Sequence, residues 1–233
     1  MKKIVMVCLA AIVAFQMNAQ TLDEVINKNL EARGGKEALA KLKTVVTELE
    51  MDAGGQKIPM KTYLSNNKGF RMEMTIMGMD NNMVVNTKEG AMFFPVQGQK
   101  GPEAMPAEMV TSMQSQFDLA GEFIGWKEKG LKLELQGEEE VEGTMCFKIL
   151  CLYPNKKEKR FFIDKESYQI IRENEKFEVN GKEMDGNQDF GNFKKVDGYT
   201  LPFSMTGQMG AMKVTKYTIN SELKDSLFEV AKK

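Results

Sequence analysis

A period of two runs through this chain from about residue 58, and it limits the fold more than any other feature. Ile58, Met60, Thr62 and Leu64 alternate with Lys61 and Tyr63, and Phe70, Met72, Met74 and Ile76 alternate with Arg71, Glu73 and Thr75. Neighbouring side chains of an extended strand point to opposite faces, so this spacing gives each ribbon one apolar and one polar side. Met83-Val85, Met92-Phe94 and Leu131-Leu133-Leu135 repeat the pattern, with Asn-Asn, Gly or charged turns between them. Short alternating strands punctuated in this way predict an antiparallel sheet with one dry face. Asn180-Gly181 and Asp197-Gly198 predict hairpin turns with positive φ, and Pro202 is expected at an edge or a strand start.

Helical signals sit at the start, the middle and the end. Thr21 with Glu24 three residues later is a capping box, so a helix is expected from there. Val25, Ile26, Leu30 and Asn29 form its inner side. Gly34-Gly35 should end that helix, with a second one resuming over Lys36 to Lys43 on Leu39 and Leu42. Met109, Met113, Phe117 and Ala120 recur at helical spacing between Pro106 and Ala120, after a Gly/Pro-rich loop from Gln97 to Met105. Ser221, Leu223, Leu227 and Phe228 predict a short terminal helix.

Upstream of the first helix, Lys2-Lys3 precede twelve apolar residues, Ile4 to Phe15, and Gln16 to Gln20 form a polar exit containing Ala19. This is the tripartite pattern of a secretory signal, and the run falls short of the ~18 residues a membrane span needs. Residues 1–19 are therefore expected to be a signal peptide cleaved after Ala19, leaving 20–233 as a single domain in the periplasm. Export would place Cys146 and Cys151 where disulfides can form. Their odd spacing in an extended run puts them on opposite faces and too far apart to bridge, so two buried free thiols are expected.

Composition then narrows the chemistry. The chain has no His, which removes Ser-His-Asp and Cys-His systems, imidazole bases and His-ligated metals. Three Cys are too few for a tetrathiolate site. With 32 Lys and Arg against 33 Asp and Glu, the basic excess of a nucleic-acid binder is missing. No pair of acids stands out as a glycosidase couple. These counts favour a binder without cofactor over an enzyme.

Other charged and aromatic features read as surface. Glu138-Glu139-Glu140-Val141-Glu142 between two glycines suggests a solvated loop. Asp185-Gly186-Asn187-Gln188-Asp189 opens like a calcium loop, but Phe190 and Val196 stand where Gly and Glu are required, so it reads as a turn. Lys156-Lys157-Glu158-Lys159-Arg160 reads as the solvated tip of a hairpin, with docking of anionic headgroups as its functional reading. Phe123 and Ile124 lie between Gly121 and Gly125, with Trp126 directly after, in a loop expected to pack on the nearest sheet, or else to plug a cavity rim or touch a membrane surface.

Three stretches carry a family resemblance. They are Leu30-Glu31-Ala32-Arg33-Gly34-Gly35-Lys36-Glu37-Ala38-Leu39, Gly69-Phe70-Arg71-Met72-Glu73-Met74, and Phe193-Lys194-Lys195-Val196-Asp197-Gly198-Tyr199-Thr200-Leu201-Pro202-Phe203. In order and content they resemble the LolA/LolB-like, outer-membrane lipoprotein-sorting proteins exported by Gram-negative bacteria. The resemblance implies an α+β fold: a single strongly curved antiparallel sheet, an unclosed half-barrel, with helices across its concave side and an acyl-binding cavity between. It also implies that an arginine on an early strand, matched here by Arg71, helps to hold the helical lid.

Nine of the 19 methionines, at 72, 74, 77, 79, 83, 92, 105, 109 and 113, fall in one stretch. Pliable, polarisable thioethers suit a wall that must fit ligands of varied shape. The expected lining is Phe70, Met72, Met74, Met83, Met92, Phe94, Leu133 and Leu135, holding a lipid or an acylated protein. Two alternatives stay open: a Cu(I) site on Met72-Glu73-Met74 and Met77-Gly78-Met79, and an envelope sensor or scaffold that binds a partner protein.

Overall fold

The computed structural model of the protein describes residues 20–179, 182–208 and 210–231. The expected signal segment and the Asn180-Gly181 turn lie outside these residues. The chain enters on α1 (Leu22–Ala32), capped as its sequence requires: the Thr21 hydroxyl accepts from the Glu24 backbone N–H, and the Glu24 carboxylate accepts from that of Thr21. Val25, Ile26, Asn29 and Leu30 form its buried face. Gly34 and Gly35 follow at φ 127° and 94°. At Gly34 the glycine is forced by packing as well, because a Cβ there would lie 2.6 Å from the Gly198 carbonyl oxygen. The second helix, α2 (Lys36–Ala40), is one turn long and stops short of Lys43.

It stops because β1 (Thr44–Ala53) begins at once, opened by the β-branched run Thr44-Val45-Val46-Thr47. The ladder continues through β2 (Gln56–Ser65), β3 (Gly69–Ile76), β4 (Met79–Asn86), β5 (Gly90–Phe93) and the two-residue β6 (Glu103–Ala104). Next comes α3 (Ala107–Gln114), extended by a 3-10 turn over Ser115–Phe117. A loop leads into β7 (Lys132–Val141), β8 (Thr144–Leu152), β9 (Glu158–Asp164), β10 (Ile170–Val179) and β11 (Lys182–Gly191). The small hairpin β12 (Lys194–Val196) and β13 (Tyr199–Leu201) turns on Asp197 and Gly198, at φ 49° and 89° as expected. The chain closes with β14 (Ser204–Gly207), β15 (Gly210–Ile219) and a 3-10 turn at Asp225–Phe228, where a short helix is expected from the sequence.

Among the described residues, thirteen strands form one antiparallel sheet in the order β6-β5-β4-β3-β2-β1-β15-β14-β11-β10-β9-β8-β7, and its two ends do not pair. The fold is therefore α+β, built on one large unclosed sheet with its helices on one side. The register fixes that side. Leu49 opposes Met60, Met60 opposes Met74, and Met72 opposes Met83, so one continuous apolar face runs across the early strands. In the later strands Ile149 opposes Phe161, and Leu133 opposes Cys151, on the same face.

Two sequence expectations give way to strand pairing. The acidic run is not a loop: Glu138, Glu139 and Glu140 lie in β7 opposite Phe147, Cys146 and Met145, and only Glu142-Gly143 turns. Their side chains stay in water, and the backbone is held by β8. Asp185–Asp189 is likewise strand, not turn, with Glu175 opposite Gly186 and Asn174 opposite Asn187. Polar composition hid both strands, because β8 and β10 supply the backbone partners whatever the side chains are. Pro202 occupies the connection between β13 and β14, where no ladder bond is lost. The thiol expectation holds: Cys146 and Cys151 are free and buried, in separate clusters on the two faces of β8.

Candidate ligand-binding site

All eight expected lining residues lie on the face that carries the helices, but they do not make one wall. Phe70, Met72, Met74, Met83 and Phe94 join Leu49, Ile58, Met60 and Val214 in a methionine-rich cluster over β1–β4 and β14–β15. Met92, with Phe70 and Met83 again, packs under α3 with Val85, Met105, Val110 and Phe117. Leu133 and Leu135 are at the far end of the sheet, in the cluster that buries α1. That cluster also receives Phe123, which meets the Phe161 ring edge-on at 4.9 Å, with Ile124 and Trp126 packed beside it. The aromatic loop therefore lies on the sheet. The α3 register differs from the expected one: Val110 is its buried residue, while Met109 is 43% exposed.

Arg71 faces the opposite side of the sheet from these clusters, since its strand neighbours Phe70 and Met72 point toward the helices. Its guanidinium pairs with Glu73 on the same strand, Nε to Oε1 at 2.6 Å. Met77 sits 78% exposed on the β3–β4 turn, whereas Met72 and Met74 are buried, so the two Met-x-Met pairs do not converge. Among the described residues no His, Cys, Asp and Glu group could hold a metal ion.

Two of the cavities among the described residues lie under α3. The helix packs on the sheet through Val110 and Phe117 at the β3–β5 flank. Toward the other flank it stands off, leaving a cavity of about 550 Å³ between Ser112 and Gln116 above and strands β9–β11, β14 and β15 below. A second cavity of about 590 Å³ opens from Ser112 and Glu175 to the β8–β9 turn, where Met109, Tyr153 and Asn155 line it. The two share Ser112 and Glu175. Phe190, Met205 and Met212 form the apolar part of the inner cavity.

Its polar floor is absent from the sequence expectations. Lys159, read there as part of a solvated tip, is 7% exposed. In β9 it lies two residues from Phe161 and four from Ile163, so it belongs to the inward face. Lys159 Nζ is 2.8 Å from Glu175 Oε1, 2.9 Å from Glu122 Oε1 and 3.4 Å from Glu173 Oε2. Tyr153 donates its hydroxyl proton to Glu122 at 2.7 Å. Glu122 belongs to the aromatic loop, so this contact fastens the loop to the sheet. The half-buried Arg33 guanidinium lies against Gly121 in the same loop, at φ 81°, where a Cβ would come within 3.2 Å of it. The alternation of β9 and β10, read at this turn as at the others, could have shown Lys159, Glu173 and Glu175 as inward-facing.

The charges of this cluster are displaced from their ordinary behaviour. Burial and the nearby Glu122 and Glu175 hold the Glu173 carboxyl above the usual carboxylate range, although Lys159 pulls the other way. Burial would also raise Glu122, but Lys159 and the Tyr153 hydroxyl outweigh it and hold that carboxyl low. Burial alone would lower Lys159, and the three carboxylates around it raise it well above its ordinary value. The ammonium is therefore charged throughout the working pH range.

No protein-family model matches the chain, and no curated protein matches it. Solved structures do. An outer membrane lipoprotein-sorting protein domain from Vibrio parahaemolyticus aligns at TM-score 0.56 and 14% identity, over 88% of this chain and 94% of that one. A LolA superfamily protein from Nitrosomonas europaea aligns at 0.56 and 12%, over 91% and 99%. A DUF1329 family protein from Desulfovibrio piger aligns at 0.53 and 13%, over 91% and 98%. At these identities the likeness is one of backbone architecture: the open sheet with its helices on one side is a LolA-like fold.

Proposed function

We propose that the protein is a non-enzymatic carrier that holds the acyl chain of a lipid or lipoprotein between α3 and the sheet. It would work in the periplasm after loss of residues 1–19. The observation that carries this reading is the stand-off of α3: one flank packs on the sheet and the other faces it across open space. The helix is anchored by two buried apolar side chains, Val110 and Phe117, worth roughly 3–6 kcal/mol together. At ~0.8 kcal/mol per buried CH₂, about four to eight methylenes of a ligand match that grip. A longer chain therefore has the energy to displace the helix and extend over the methionine wall.

The lipoprotein-sorting description of a structural neighbour favours the same ligand class. Among the described residues no helix is long and apolar enough to cross a membrane. The test is native mass spectrometry of the mature protein purified from cell envelopes, with uptake of a fluorescent fatty acid in parallel. A co-purifying acyl species is the expected result. Absence of any lipid together with no uptake would overturn the proposal, and a Cu(I) titration run alongside would expose a metal site built on the thioethers instead.

A further inference from the structure

The floor of the inner cavity departs from the rule that the rest of the inward face obeys. Across β1–β5 and β7–β8 the inward positions are mostly apolar, yet on β9–β11 they carry Lys159, Glu173, Glu175 and Gln188. Buried charges are costly unless they balance one another or meet a ligand. Here they do not balance. Among the described residues, Glu122, Glu173 and Glu175 share the Lys159 ammonium, and Arg33 lines a small cavity with Glu122 and Glu173, while Lys157 and Lys176 belong to the wall of the outer cavity. Asp118, which also acts on Arg33, is paired with Lys129. Three carboxylates against two cations leave one negative charge facing a cavity whose remaining wall includes Phe190, Met205 and Met212. Lys159 is closed in by its partners, while Glu175 is the most open of the three acids at 48% side-chain exposure and borders both cavities.

We propose that this cavity selects amphiphiles whose head is a primary ammonium, seated against Glu175 and Glu173, with the apolar tail along Phe190, Met205 and Met212. The inference rests on the carrier reading and names the head chemistry of its ligand. A cavity of about 550 Å³ is within the ~300–1,000 Å³ span of small-ligand sites. An ammonium there restores neutrality, whereas a carboxylate head adds a second unbalanced negative charge in a partly desolvated place. Burial and the neighbouring Glu122 and Glu175 hold the Glu173 carboxyl above the ordinary carboxylate range, the direction expected where negative charge outweighs positive.

Isothermal titration of the mature protein with dodecylamine, dodecanol and dodecanoate at pH 7 tests this. Dodecylamine is expected to bind at least tenfold more tightly than dodecanoate, with dodecanol between them. Glu175→Gln should lower dodecylamine affinity several-fold and dodecanol affinity markedly less. Glu173→Gln serves as the second variant, with urea unfolding to confirm that both still fold. Lysophosphatidylethanolamine and a palmitoylated peptide with one free lysine separate a lipid source of the amine from a protein source, and tight binding of either supports the proposal. Equal affinity for all three heads, or indifference to both variants, overturns the head preference while leaving the carrier reading standing. Failure of every amphiphile to bind overturns both.

Discussion

Replacing Lys159 with Met should be among the most damaging single changes on the inward face. The substitution keeps the volume and the alkyl packing against Phe161, over whose ring the ammonium sits at 5.5 Å. It removes the charge that Glu122, Glu173 and Glu175 share. Breaking a buried ion pair from one side costs about 3–5 kcal/mol. Side-chain exposure of 20% and 26% for Glu122 and Glu173 argues for the lower end, and Glu175, at 48%, adds little. A loss of about 3 kcal/mol is expected at pH 7, or roughly 6–12 °C in Tm for a chain of this size.

The pH dependence gives the sharper test. Without Lys159 the Glu122 and Glu173 carboxyls rise above their unfolded value, so the folded state binds more protons than the unfolded state and stability falls as pH rises. The penalty should therefore be small below the ordinary Glu value of 4.5 and grow as pH climbs above it. Urea unfolding of both proteins at pH 4.5, 6 and 7.5 measures this. The double variant Lys159→Met with Glu173→Gln should recover part of the loss. A penalty under ~1 kcal/mol, or one that does not change with pH, would refute the claim that Lys159 holds the cluster together.

Three further outcomes follow from the same geometry. Glu122→Ala should free the aromatic loop from Tyr153 and Lys159, seen as a red shift and stronger acrylamide quenching of Trp126, the single tryptophan. Gly34→Ala should destabilise by about 2 kcal/mol or more in denaturant titration, because its φ is 127° and the new Cβ would meet the Gly198 carbonyl at 2.6 Å. Burial pushes the Cys146 and Cys151 thiols up to about 11 and about 12. Neither should react with a thiol reagent at pH 8 in the folded protein, and both should react once it is unfolded.

The first helix, its capping box, the strands from Ile58 to Phe94, the Asp197-Gly198 turn and the two separate thiols were all legible, because each rests on contacts within a few residues or on a period of two. Thr44–Ala53 is not legible in the sequence although its opening is β-branched, because its start adjoins a helical stretch and carries no turn signal. The acidic half of β7 and the polar strand β11 are illegible for the opposite reason. Their side chains resemble loops, and only the neighbouring strands make them extended.

Alternation by itself determined that the chain makes a one-faced sheet, and the lack of histidine determined which chemistries it forgoes. Which residues meet on that face was decided by tertiary structure. Glu122 and Lys159 are 37 residues apart in the chain, and they touch only because a loop folds back over β9. Leu133, expected beside Met72, lies at the far end of the sheet because strand order, unlike strand period, is set by pairings between distant segments. A lysine in a charged run looks solvated to any local reading. Burial of Lys159 required three carboxylates brought from a loop and a neighbouring strand to offset its desolvation.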